Sequence, residues 1–328
     1  SLAPSFVWAF ASFFLAGLGY SFLNPSSTKA VMEWFYRDER ATAMGIKQTG
    51  VAAGGVVAAV LAAPLVLVIG WRAALAALGI INFFFGFVFS YLWRDPSEEM
   101  EGVAAQRTGT SDAHGPLKFW GFLPASFGTA TFLIAQMSLI TYIPLYLKES
   151  MGFSSYWASQ ALAITQAGAM VGRIGWGVAS DRLFGGRRKI VLIIIGLMGV
   201  ALMLTFNFMT RESSLYLLLS IVFLSGLSLV GYQGVSYALI GELAGKTRTG
   251  VAIGVMITIN AAAATLGTPL FGYIVDRTGS YAIAWQALAC AILLGILALG
   301  TFLKEPRRVH PHLIPLPSRE RRGEGRES

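Results

Sequence analysis

Long apolar stretches recur along the whole chain and alternate with short polar or charged segments. An α-helix needs about 20 apolar residues to cross the hydrocarbon core of a membrane, and nine stretches reach that length. They are too long and too apolar for barrel strands, and open sheets do not occur in lipid. We therefore predict an all-α membrane protein whose spans are residues 6–32, 42–69, 73–93, 119–147, 154–181, 189–209, 215–241, 249–275 and 280–303.

Polar segments divide the spans into groups. Residues 94–118 are charged, contain Gly, Ser and Pro, and lack apolar periodicity, so we predict a cytoplasmic linker there. Three helices precede it in residues 1–93, as the remainder of an N-terminal bundle, and a C-terminal six-helix bundle follows in residues 119–303. The tail, residues 304–328, is rich in Arg and Pro and is predicted to be disordered.

Charge predicts the orientation of these spans. Placing the loop at residues 33–41 in the cytoplasm puts 19 Lys and Arg residues on that side and four on the other. Short loops rich in Lys and Arg stay in the cytoplasm, so we predict a cytoplasmic C-terminus. The end of the tail resembles translated intergenic sequence of bacteria, which points to a bacterial inner membrane. The net charge of +8 lies in loops on one side of a membrane and does not indicate a nucleic-acid partner.

An internal repeat relates two parts of the chain. The phrase Phe14-Leu-Ala-Gly17-Leu returns 209 residues later as Phe223-Leu-Ser-Gly226-Leu. The same offset, without a gap, pairs Glu33 with Glu242, Arg37 with Lys246, Gly45 with Gly254 and Thr49 with Thr258. Two bundles related by an axis along the membrane normal leave such a parallel repeat. The counterpart of residues 119–209 would fall before Ser1, so we expect nine of twelve helices here, with the first three missing from the N-terminus.

The basic turn after the span at residues 154–181 carries the most specific motif. It resembles the G-x-x-x-D-R-x-G-R-R loop signature of the major facilitator superfamily, with extra residues before the last two arginines. The matching residues are Gly177, Asp181, Arg182, Gly185, Arg187 and Arg188. Gly177 would let a neighbouring helix approach closely, Asp181 would offer an anion to the N-terminus of an adjacent helix, and the arginines would hold the turn at the headgroups. A turn that only fixes the topology is the alternative.

Two further segments extend the resemblance to residues 1–303. Glu33 to Ala41 is similar to the segment after the family's fourth helix, and Pro269 to Tyr281 to the exit of its eleventh. The resemblance implies a symporter-like secondary transporter, monomeric, in which two six-helix bundles rock around a midplane site for a small molecule, with a proton as a candidate coupling ion. Phe13 replaces an arginine frequent early in the fourth helix, and Gly54-Gly55 stands where antiporters of the family often have Gly-Pro. These departures argue against a proton relay at position 13 and against an antiport mechanism.

A polar stripe on the first span indicates where a substrate cavity would lie. At 100° per residue, one face of the helix collects Gly17, Tyr20, Asn24, Thr28 and Val31. Shifted by 209, the face becomes Gly226, Leu229, Gln233, Tyr237 and Ile240, with an amide at the same place. A buried amide without partners costs about 1–3 kcal/mol, so the two amides indicate either a polar cavity or hydrogen bonds that join neighbouring helices.

Cations within the spans give further candidates. Lys47, followed by Gln48, is one turn from the position equivalent to Asn260, and it is either functional or directed to the headgroups. Arg173, on a face with Gln166, would be an anion ligand or a structural partner. Gln136 and Tyr142 are the polar candidates of the span at 119–147.

The absence of mid-membrane carboxylates bears on the function. No Asp or Glu lies in the middle of a predicted span, so buried cations favour an anionic substrate such as an organic acid. A membrane enzyme would need converging His, Asp, Glu or Cys, and we expect neither catalysis nor a metal or cofactor. A receptor or assembly protein on the same fold, or a non-functional fragment, is the alternative to a transporter.

Overall fold

The computed structural model describes residues 5–92 and 122–303, and the regular structure of these residues is helical throughout. The linker and tail predicted at 94–118 and 304–328 lie outside the described residues. The helices are α1 (Phe6–Trp34), α2 (Arg40–Leu92), α3 (Leu123–Glu149), α4 (Ser155–Val178), α5 (Arg188–Thr205), α6 (Leu215–Ser225), α7 (Gln233–Ala244), α8 (Thr249–Thr278) and α9 (Tyr281–Phe302). A π-helical turn, Gly226–Val230, connects α6 to α7, and another, Ala179–Leu183, extends α4.

Within the described residues, seven helical segments are long and apolar enough to cross a membrane. They are Phe6–Trp34, Val68–Leu92, Leu123–Glu149, Arg188–Phe208, Leu215–Ala244, Lys246–Thr278 and Tyr281–Phe302. The predicted spans 42–69 and 154–181 are helical as well but are not among the seven. The chain is therefore a multi-pass helical protein, and the count of nine spans out of twelve stays a prediction.

The internal repeat extends to the helix boundaries. α1 and α6 begin 209 residues apart, at Phe6 and Leu215, and α2 and α8 do the same, at Arg40 and Thr249. α2 breaks at Gly70, where φ is 77°, and α8 ends before Gly279, where φ is 64°. A positive φ is favourable only for glycine, so both copies use a glycine 30 residues into the helix to redirect the chain.

The first helices contact the later ones at the end that carries the loop between α1 and α2. There α2 packs against α4 and α7, and α1 packs against α7 and α8. Gly45 makes the approach possible, because a Cβ at this position would overlap the backbone carbonyl of Arg173. Toward the start of α1, by contrast, Phe6 and Phe13 are 83% and 76% exposed. The two groups of helices therefore meet at one end and diverge toward the other.

The orientation can be tested by cysteine labelling. The native Cys290 is exposed on α9 and is first replaced by alanine. We expect a cysteine at Arg107, in the predicted linker, and one at Ser213, in the loop before α6, to react with a membrane-impermeant maleimide from opposite faces, because the basic loops define one side. Labelling of both positions from the same face would contradict the predicted topology.

Candidate functional site

Lys47 lies two turns into α2 and points across to α1. Its Nζ donates to Ser27 Oγ and Thr28 Oγ1, each at 3.0 Å, and lies 5.1 Å from the centre of the Tyr237 ring. The π face of an aromatic ring and hydroxyl oxygens attract a cation without neutralising it. Lys47 therefore does not extend to the headgroups, and its charge is held between α1, α2 and α7.

Arg173 is the second cation of this region. Its side chain projects from α4, is 4% exposed, and donates from Nη1 to the backbone carbonyl of Gln48 at 2.8 Å. Its Nε has no partner among the described residues. Tyr237 lies close to the side chains of both Gln48 and Arg173. Arg173 and Lys47 thus converge on Gln48 and Tyr237, and no ion pair with a carboxylate joins either of them within the part of the chain that the structure describes.

A cavity of about 80 Å³ adjoins Tyr237 between α3, α7 and α8. The polar residues that line it are Tyr232, Gln233, Ser236, Tyr237 and Asn260. Gln233 Nε2 donates to Gln136 Oε1 at 3.3 Å, and Asn260 Nδ2 donates to Thr129 Oγ1 at 3.4 Å. The two cations and these amides form the candidate substrate site, which we call the polar cleft.

Most of the predicted site residues come together in the polar cleft. The two cations, Lys47 and Arg173, lie beside Thr28, Gln48 and Tyr237. The cavity is lined by Gln233 and Asn260, and Gln136 is hydrogen-bonded to Gln233. The sequence analysis missed Ser27, Thr129, Tyr232 and Ser236. Ser27 is next to a predicted residue, but no spacing in the sequence relates it to Lys47.

Three predicted residues lie elsewhere. Asn24 is half-buried and is not among the residues that line this cavity, so a space shared by the two amides of the repeat stays a prediction. Gln166 has a buried Oε1 without a partner among the described residues. Tyr142 packs its ring on Phe271, at 4.7 Å between ring centres, in an aromatic cluster that includes Trp285. The polar stripe on α1 is exposed nearer the N-terminus of the helix, where Tyr20 is 58% exposed.

The loop motif forms a network of buried charges at the end where the helices meet. Asp181 Oδ2 accepts hydrogen bonds from the backbone N of Thr42 at 2.8 Å and from Thr42 Oγ1 at 2.7 Å. Thr42 lies in the first turn of α2, so the predicted interaction of Asp181 with a helix N-terminus is observed. Gly177 permits this contact, since a Cβ there would lie 2.5 Å from the carbonyl oxygen of Ala41.

Arg188 corrects the prediction that the arginines of the turn lie at the headgroups. Its side chain is fully buried and donates to Asp181, to Ser180 Oγ at 2.8 Å, to the carbonyl of Arg37 at 2.6 Å and to Glu242 at 3.1 Å. Glu242 also pairs with Arg37, at 3.5 Å. We call Asp181, Arg188, Glu242, Arg37 and Thr42 the ion network.

The extra residues of the turn explain why one arginine is buried and others are not. Gly185 and Gly186 both have positive φ, 57° and 76°, so the chain reverses between Arg182 and Arg188. Arg182 and Arg187 remain exposed, while Arg188 begins α5 and turns inward.

No group of three or more His, Cys, Asp or Glu that could hold a metal ion occurs among the described residues. Fold and site together define a multi-pass helical membrane protein with a polar cleft between helix groups that an ion network joins at one end. The sequence profile of the Major Facilitator Superfamily matches residues 1–185 and 168–323. The chain belongs to this superfamily.

Relatives and solved structures agree with that assignment. The chain is 27% identical to a probable sulfoacetate transporter, SauU, of Cupriavidus necator over 89% of this chain and 71% of the relative. It is 28% identical to an uncharacterized MFS-type transporter of Mycobacterium tuberculosis, over 94% of this chain and 66% of the relative, and 24% identical to the hexuronate transporter of Bacillus subtilis, over 95% and 75%. The chain thus spans from about two thirds to three quarters of the length of these relatives.

The crystal structure of the Escherichia coli fucose:proton symporter FucP has the same fold. It superposes with a TM-score of 0.64 at 15% sequence identity, covering 86% of this chain and 74% of that chain.

Proposed function

We propose that the protein is a secondary transporter that moves a small organic anion across the membrane by alternating access. The observation that carries this proposal is the pair of cations, Lys47 and Arg173, that meet at Gln48 and Tyr237 without a carboxylate partner among the described residues. Cations are costly within a membrane protein unless they are compensated, and an anionic ligand compensates them. The ligand's carboxylate or sulfonate group would lie between the two side chains.

Alternating access requires that the cleft open to one side at a time. The ion network closes the end where α2 meets α4 and α7, while the other end of α1, at Phe6 and Phe13, is exposed. Opening this end requires Asp181 to release Thr42 and Glu242 to release Arg37. The network is therefore the gate that we propose for this side. The basic loops favour the cytoplasm as the compartment on this side, and we propose a bacterial inner membrane as its location.

The substrates for which the relatives are named support an anionic substrate. The sulfoacetate and hexuronate transporters carry anions by name, and a probable galactarate/D-glucarate transporter of Escherichia coli, GarP, is a further relative at 21% identity. The fold neighbour is a proton symporter, so we propose proton coupling and a monomeric unit, as the family resemblance implies.

Uptake into proteoliposomes tests this function. With the full-length protein reconstituted, we expect saturable, proton-gradient-dependent accumulation of one of sulfoacetate, glucuronate or lactate, and none of neutral fucose, because the cleft attracts negative charge. Liposomes without protein are the control. Accumulation of fucose with no uptake of any anion would contradict the proposal, and so would binding without transport, which would favour a receptor.

A further inference from the structure

The cavity beside Tyr237 contains a hydrogen-bond acceptor without a donor. Asn260 is 6% exposed, lines the cavity, and has a buried Oδ1 without a partner among the described residues. Most buried side-chain oxygens in proteins are hydrogen-bonded, and an unmade bond at such an atom is unfavourable. A group that donates a hydrogen bond would therefore bind favourably at this place.

The neighbouring hydroxyl determines which end of the amide faces the cavity. Thr129 Oγ1 donates its single proton to the carbonyl of Ser126, at 3.1 Å. A hydroxyl that has donated can only accept, so Thr129 requires the NH₂ group of Asn260 on its side. The opposite orientation of the amide would place two acceptors against each other. Oδ1 of Asn260 is thus the acceptor that stays without a donor among the described residues, on a side chain that lines the cavity.

The other amides of the cavity are already paired with each other. Gln233 Nε2 donates to Gln136 Oε1, so that this donor is used within the protein. The volume of about 80 Å³ is too small for a second organic ion, but it accommodates a hydroxyl-bearing carbon of a ligand bound next to it. Tyr237 belongs both to the cavity wall and to the surroundings of Lys47, which places the cavity beside the proposed anion position.

We propose that Asn260 recognises a hydroxyl group of the transported anion, so that the substrates are hydroxylated organic acids rather than simple ones. This inference rests on the proposed function, because the anionic group must first bind at Lys47 and Arg173. The hydroxyl donates to Asn260 Oδ1, and a substrate without it leaves this oxygen unpaired. A site built around such a bond discriminates strongly against the analogue that lacks the hydroxyl.

Matched pairs of ligands test the inference in the purified full chain by calorimetry. The pairs are lactate with propionate, and gluconate with hexanoate. We expect the hydroxylated member of at least one pair to bind about ten- to a hundredfold more tightly, as the cost of an unpaired buried acceptor implies. In Asn260→Leu this preference should disappear, through weaker binding of the hydroxylated acid with the affinity for its partner retained.

Two further variants keep the result interpretable. Thr129→Val removes the oxygen that orients Asn260, and it should reduce the same preference even if Asn260→Leu does not fold. Asn207→Leu is the matched control, since Asn207 also has a buried, unpaired Oδ1 but lies at the end of α5, away from the cavity. It should change the melting temperature at most.

The outcomes separate this inference from the function on which it rests. Anion binding without a preference for the hydroxylated members, or a preference that survives in both Asn260→Leu and Thr129→Val, overturns the role of Asn260 and leaves the transporter of anions standing. Binding of none of the four acids overturns the inference, and the uptake of sulfoacetate or glucuronate in proteoliposomes then decides whether the proposed anion transporter stands.

Discussion

Replacing Lys47 by methionine is expected to weaken the binding of organic anions at least about thirtyfold, the effect of removing one partner from a buried, hydrogen-bonded charge pair. Methionine has an unbranched side chain of similar length, so the packing between α1 and α2 changes little. Ser27 Oγ already donates to the carbonyl of Leu23, at 2.5 Å, and does not depend on the amine. The measurement is the dissociation constant of the preferred anion, with the melting temperature recorded in parallel.

The matched control is Lys29→Met, because Lys29 is also a lysine and follows Thr28 on α1. Lys29 is exposed on α1 and pairs with Glu33 at 3.5 Å, one helical turn away. Its replacement should leave the affinity for the anion unchanged. If Lys47→Met kept the affinity and lowered the melting temperature instead, Lys47 would be a structural residue that joins α1 to α2.

Much of the helical framework was predictable because it depends on local sequence. The 209-residue offset predicted which helices correspond, and the structure repeats it at the starts of α1 and α6 and at Gly70 and Gly279. Apolar length and the glycines determine these features without reference to distant residues. The span predicted from residue 73 lies within the separate membrane-length segment Val68–Leu92, and the chain changes direction at Gly70 without a loop before it.

The polar cleft was predictable in composition but not in its contacts. Buried cations and amides stand out in an apolar helix, so Lys47, Arg173, Gln233 and Asn260 were identified as candidates. Which of them meet depends on how the helices rotate and cross, and a stripe on one helix does not contain that information. Asn24 illustrates this, because it shares a face with Thr28 but remains outside the cavity that its counterpart Gln233 lines.

The same reason explains the error at the basic turn. Arg187 and Arg188 are adjacent and chemically identical in the sequence, so both were assigned to the headgroups. The two glycines with positive φ place Arg188 in the first turn of α5, where Asp181 and Glu242 surround it. Which of the two neighbouring arginines is buried therefore depends on a carboxylate, Glu242, that lies 54 residues away in the sequence.

The ion network leads to the second large effect, that of Arg188→Met. This change leaves Asp181 and Glu242, whose side chains are 1% and 5% exposed, as buried carboxylates without their common partner. Breaking a buried charge pair in this way costs about 3–5 kcal/mol. Separation of α2 from α4 and α7 would let water reach the carboxylates, so the cost falls mainly on the state in which this end is closed.

We therefore expect Arg188→Met to lower the melting temperature and to shift the population toward a state open at this end. A cysteine at Ala41, which is fully buried against Gly177, reports the opening in a chain that lacks Cys290. Its labelling rate should rise more than about a hundredfold if 3 kcal/mol of the cost acts on the closed state. Arg182→Met, an exposed arginine of the same turn, is the control and should leave the rate unchanged.

Removing the carboxylates as well distinguishes a gate from a simple loss of folding. When Asp181→Asn and Glu242→Gln accompany Arg188→Met, no buried carboxylate is left without a cation, and Arg37, which loses Glu242, has a side chain that is 32% exposed. Neutral groups then replace a buried ion cluster at small cost to the fold. The melting temperature should then recover. The labelling rate at Ala41 should stay above that of the unaltered network, because Thr42 and Arg37 have lost the charged partners that joined the first helices to the later ones. A lowered melting temperature with no increase in labelling for Arg188→Met would mean that the network holds the fold together and does not control access to the cleft.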